Sequence, residues 1–144
     1  MRPATVPSLI AALALATAPL AAQQPAPAQA APKDSLALAR KYATWFYAGQ
    51  MDSVLAHHSA EGRAELTTDA LRERLMEVAS RAGEEDSVIE EKFVKRNGRT
   101  QYWRVAKFTA YADEPLVLRL VILPTGEIGG MGFNPLSRTP PVDP

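Results

Sequence analysis

The 144-residue chain sets 16 acidic residues against 16 basic ones, has no cysteine and carries 12 prolines. That length has room for one domain. The neutral balance supplies no field to follow a phosphate backbone, which excludes nucleic acid as an expected partner. Without cysteine there is no disulfide framework and no residue to carry a lipoprotein anchor, so the core alone must hold the fold.

The first stretch, "MRPATVPSLIAALALATAPLAAQQ", places one arginine before an alanine/leucine run and then small residues. This is the layout of a secretory signal peptide over residues 1–22, with cleavage expected after Ala22 and a second small-x-small site at Ala28 and Ala30. The apolar run is too short and alanine-rich for a membrane span. The expected location is therefore periplasmic or secreted, in a bacterial cell, with no membrane contact after cleavage. Residues 23–34 are rich in Pro, Ala and Gln and read as a disordered linker.

A first helix is predicted over residues 35–48, capped by Asp34 or Ser35 and stopped by Gly49. Leu38, Tyr42, Trp45 and Phe46 share one side of it, opposite Arg40, Lys41 and Thr44. A short second helix is predicted over residues 51–59, with Met51, Val54 and Leu55 inward. A third begins at Thr67, Thr68 or Asp69 and ends at Gly83. Its Leu71, Leu75, Val78, Ala79 and Ala82 form an apolar stripe, with Glu77 and Arg81 as a solvated pair.

From Asp86 the period changes to two. "SVIEEKFVK" and "TQYWRVAKFTAY" read as strands joined by Asn97-Gly98, a strong hairpin signal. "DEP", residues 113–115, is read as the next turn. In "LVLRLVIL", Leu116, Leu118, Leu120 and Ile122 line one face, and Val117, Arg119, Val121 and Leu123 the other. "EIGGMGF" closes the sheet, and residues 136–144 read as a disordered Pro-rich tail. The fold class is α+β: three N-terminal helices packed on one face of a curved four-stranded antiparallel sheet, a single domain over residues 35–135.

This order resembles the nuclear-transport-factor-2-like superfamily, cone-shaped domains in which helices cover a strongly curved sheet. More narrowly it is similar to the bacterial domain-of-unknown-function 3887 family. The likeness covers most of residues 36–135. It rests on "ALARKYATWFYAGQMDSVLAHHSAEGRAELTTDALRE" and on the closing "LRLVILPTGEIGGMGFNP". The family offers no active-site motif to carry over. Its members often precede an α/β-hydrolase domain, which this chain lacks, and no serine here stands in a G-x-S-x-G context.

Gly129, Gly130 and Gly132 admit three readings: bends in a curved last strand, backbone in a pocket wall, or a phosphate loop. The curved sheet implied by the resemblance favours the bend. A phosphate loop needs a helix N-terminus after it, and here proline follows. His57 and His58 are adjacent and point about 100° apart on a helix, so they do not form an i,i+4 metal pair. No metal and no cofactor is expected. Asp113, Glu127 and Glu91 are the strand-associated carboxylates. Among them Glu127 is the candidate base if the domain is an isomerase or cyclase like some relatives in the superfamily.

The aromatic residues offer the stronger lead. Tyr42, Trp45, Phe46 and Tyr47 on the first helix face Tyr102, Trp103, Phe108 and Tyr111 on the second strand. They serve as core, and the excess suits a cleft for an apolar or aryl ligand. Arg104, Lys107 and Arg119 either bind a ligand carboxylate or pair with Glu90 and Glu91. The candidate pocket is thus Tyr42, Trp45, Phe46, Tyr102, Trp103, Arg119 and Glu127, with no catalytic residue. The expected function is a non-catalytic exported domain that binds a small apolar ligand or a protein partner. A homodimer through the outer sheet face is expected from Val117, Val121 and Leu123. The rivals are an isomerase-like enzyme with a carboxylate base and an envelope spacer or accessory domain.

Overall fold

The computed structural model describes residues 34–144, so the expected signal peptide and all but the last residue of the linker lie outside the described residues. Four helices come first: α1 (Ser35–Tyr47), α2 (Met51–Ala56), α3 (Ala60–Glu65) and α4 (Thr68–Ala82). Four strands follow, β1 (Glu85–Arg96), β2 (Arg99–Phe108), β3 (Tyr111–Ile122) and β4 (Ile128–Pro135), and then a 3-10 turn, Leu136–Arg138. The strands form one antiparallel meander in the order β1-β2-β3-β4. The fold is α+β, helices first and sheet second.

The alternation along β3 decides which face the helices cover. Leu118, Leu120 and Ile122 are buried with Tyr102 of β2 and Ile128 of β4 against Ala39, Tyr42, Ala43 and Phe46 of α1, Met51 and Val54 of α2, and Leu71 of α4. Each such large side chain contributes roughly 1.5–3 kcal/mol by leaving water. A smaller cluster of Ala82, Ala106, Phe108 and Leu116 continues the core toward the β2–β3 turn. The Asn97-Gly98 hairpin forms as expected, both residues taking positive φ.

Four features depart from the sequence expectation. The second helix ends at Ala56 rather than Ser59, because His58 makes a parallel bridge to Ile128 and the backbone of residues 57 and 59 exchanges hydrogen bonds with Ile128. Ser59 then caps an additional helix, α3, by accepting from the Gly62 N–H at 3.2 Å. The β2–β3 turn lies at Thr109 and Ala110, not at residues 113–115. It is pinned to the end of α4, since Thr109 N–H donates to Glu84 and Ala110 N–H to Ala82. Pro115 is tolerated within β3 because the ladder is irregular between Tyr111 and Leu116.

The fourth departure is the tail. Residues 136–144 follow a defined course: Ser137 N–H and hydroxyl both donate to Glu114, and Asp143 reaches the β1–β2 hairpin. There the Asp143 carboxylate accepts from the Asn97 and Gly98 N–H groups, each at 3.0 Å. The tail leaves β4 beside Leu116 and ends at the opposite edge and opposite end of the sheet. On the helix-free face, Trp103, Val105 and Val117 form a buried cluster. Of the three residues from which a dimer through this face was expected, Val117 is fully buried within one chain, while Val121 and Leu123 are half-buried.

Candidate functional site

The site is built around β4. Ile128 pairs with Ile122 and Gly130 with Val121, so two steps on β4 match one on β3 and Gly129 forms a bulge. A Cβ on Gly129 would come within 2.7 Å of Leu123, and one on Gly132 within 2.5 Å of the Arg119 guanidinium. Glycine is used here because β3 side chains lie flat on the β4 backbone. The same glycines also wall a cavity on each side of the strand. No helix of useful length follows, only the three-residue turn, which leaves the phosphate-loop reading without its donors.

On the helix side lies a groove of about 330 Å³ between α3, α4 and β4. Phe46, Leu66, Leu71, Met131 and Phe133 make it mainly apolar, and His58, Glu65 and Arg74 are its polar members. His58 is buried, and its Nδ1–H donates to the Val54 carbonyl at 2.9 Å. A carbonyl only accepts, so Nδ1 is the donor in this bond and Nε2 is the ring nitrogen left for another partner. On the helix-free side a second cleft of about 470 Å³ runs between the β1–β2 hairpin and β4, with Arg96, Arg99, Gln101 and Arg119 in its wall.

The seven candidate pocket residues do not converge on one cavity. Phe46 lines the helix-side groove, and Arg119 lines the other cleft. Tyr42 is core, with its hydroxyl donating to the Gly126 carbonyl at 2.6 Å. Trp45 is half-buried at the outer edge of α1, with Lys41 over its ring at 4.5 Å and His57 beside it. His57 Nδ1 donates to Ser53 at 2.8 Å, so both histidines secure the end of α2. Trp103 is buried on the helix-free face, its Nε1 donating to Gln101 at 3.0 Å. Glu127 is half-buried at the β3–β4 turn, where it accepts from Thr125 at 2.9 Å.

Tyr102 belongs to a polar network instead of a ligand wall. Its hydroxyl donates to Glu91, which also takes Arg40 at 2.6 Å and Arg104 at 2.9 Å. Arg104 forks onward to Glu85 at 2.6 Å, a pairing not anticipated from sequence, while Glu90 pairs with Lys92. Hydrogen bonds from Arg40 and then Tyr102, with the cationic charge of Arg40 and Arg104, outweigh partial burial and hold Glu91 down at about 2. Burial and the Glu91 bond push Tyr102 up to about 12. Burial also raises Tyr47, and the Arg104 guanidinium is raised mainly by its bond to Glu85. These shifts all favour the ionised pair and the neutral phenol, the signature of a fixed network rather than of a proton carrier.

Sequence reasoning missed Arg96, Arg99 and His58 as cavity residues. For Arg96 and Arg99 a signal existed, since they flank Asn97-Gly98 and alternation sets both on the face shared by Arg119. Among the described residues no three ligating side chains cluster as for a metal, and no helix is long and apolar enough to cross a membrane. Compared with protein-family models, curated proteins and solved structures, the chain matches none.

Proposed function

We propose that this chain is a non-catalytic binding domain of the nuclear-transport-factor-2-like kind, close to the domain-of-unknown-function 3887 family, that works outside the cytoplasm after loss of its signal peptide. Its ligand is a small apolar molecule held in the helix-side groove beside β4. The observation that carries this reading is the groove itself: apolar side chains from α1, α4 and β4, backed by glycine backbone and with one buried histidine ring as a polar member.

The enzyme alternative finds no base. A catalytic carboxylate needs a pKa raised toward neutrality. Glu91 is held at about 2 by its cationic partners, Asp113 is exposed, and Glu127 is hydrogen-bonded at a turn. A second reading, a protein partner, is favoured by the exposed Val88, Ile89 and Phe93 on edge strand β1. Ile89→Glu would then lower the subunit number in light scattering.

The groove reading is tested with the neutral fluorophore N-phenyl-1-naphthylamine. Saturable, blue-shifted emission is expected, lost in Ala70→Trp, which fills the groove from its exposed rim. Emission that never saturates, or that Ala70→Trp leaves intact, overturns it. Native mass spectrometry of chain purified gently from its own cells would then name a retained ligand by mass.

A further inference from the structure

We propose that the helix-free side of the sheet carries a second binding site, for a small dianionic oxyanion held by Arg96, Arg99 and Arg119 over the glycine backbone of β4. The register brings the three together. Arg96 and Arg99 are paired across the β1–β2 hairpin, and Arg119 lies on the same face of β3, one strand further on. All three line the 470 Å³ cleft with Gly130 and Gly132. Arg119 reaches across β4 because Gly132 has no side chain, and its Nη2 donates to Asn134 Oδ1 at 2.7 Å.

Two observations point from this geometry to an anion. Among the described residues none of the three guanidinium groups is ion-paired, although four other arginines of the domain are. The Nε atoms of Arg96 and Arg119 are buried and have no hydrogen-bond partner, a costly state for a charged donor. Burial first and Arg96 second depress Arg119, so each cation raises the cost of the other. The chain already parks one carboxylate at the rim. Asp143 sits on the Asn97 and Gly98 N–H groups and feels the charge of Arg96 and Lys95. The three guanidinium charges and Lys95 outnumber the single charge of Asp143, a cationic surplus that suits an anion of more than one charge. Guanidinium forks fit the paired oxygens of carboxylate and phosphate alike, so a phosphate monoester and a dicarboxylate share the required chemistry.

The test is isothermal calorimetry of the purified chain with inorganic phosphate and, separately, with succinate, at constant ionic strength. Saturable one-to-one binding of at least one is expected; phosphate alone identifies a phosphate monoester, succinate alone a dicarboxylate. Arg99 is exposed, so Arg99→Gln keeps the fold and is expected to weaken binding about tenfold. Arg119→Gln, with its fold checked by circular dichroism, is expected to abolish it. Arg72→Gln, on exposed α4, removes the same charge elsewhere and is expected to bind as the parent does. No saturable heat with either anion overturns the proposal, as does equal weakening by Arg72→Gln and Arg99→Gln. Ala70→Trp is expected to leave anion binding intact, so this proposal and the apolar groove fail independently.

Discussion

The two sides of β4 share one backbone and offer opposite chemistry. Toward the helices, Met131 and Phe133 meet Phe46, Leu66 and Leu71 in an apolar groove. Away from them, Gly130 and Gly132 form a bare surface beneath Arg119 and the hairpin arginines. A strand turns alternate residues to opposite faces, so a pattern of two keeps large apolar side chains on one side and glycine on the other. The helix side carries the main core with an apolar groove at its edge, whereas the other side carries an apolar patch at one end and unpaired arginines at the other. One strand can therefore serve two binding chemistries without either disturbing the packing of the other.

The largest loss is expected where the helix side is packed tightest. Leu118→Ala, at a fully buried position, is expected to cost about 2–5 kcal/mol in urea unfolding. Gly83 and Gly132 sharpen the contrast between the two sides. A Cβ on Gly83, at φ 74°, would meet Thr109 Oγ1 at 2.3 Å and the Ala110 backbone at 3.0 Å. Gly83→Ala is therefore expected to cost about 1–3 kcal/mol. A Cβ on Gly132 meets only the flexible end of Arg119, so Gly132→Ala is expected to cost less than about 1 kcal/mol while breaking the Arg119–Asn134 bond. Equal losses at both positions would mean that the β4 glycines are structural in the same sense as Gly83.

Ending the chain after Arg138 tests whether the tail covers the helix-free face. In a Trp45→Phe background, Trp103 emission is expected to shift red and become open to acrylamide, with the helix-side core unaffected. An unchanged Trp103 would assign its burial to the sheet alone. The smallest effect concerns the network around Glu91. Its folded pKa of about 2 lies below the ordinary carboxylate value of 4.5, so its contribution is fully present above that value. It is expected to fade as pH falls from about 4.5 toward 2, and Glu91→Gln is expected to flatten the unfolding midpoint over that window. A parallel acid loss in the variant would assign it to other carboxylates.

Elements whose signals are local could be read from the residues alone. The Leu116-Leu118-Leu120-Ile122 alternation, the Asn97-Gly98 hairpin and the Glu77–Arg81 pair each depend on neighbours within a few residues, and each formed as read, whereas the α4 stripe buries Leu71 and Ala82, half-buries Leu75 and Val78 and leaves Ala79 exposed. Tertiary contacts decided the rest. His58 left α2 because its backbone pairs with Ile128, seventy positions along the chain, and the β2–β3 turn moved to Thr109 because α4 ends against it. Residue type showed Tyr42, Phe46 and Tyr102 as large aromatics, but whether an aromatic fills a core or walls a cleft depends on what packs opposite. Arg119 was legible as a cation on a strand. That it lies over Gly132 beside Arg96 required the register of three strands, which no local pattern encodes.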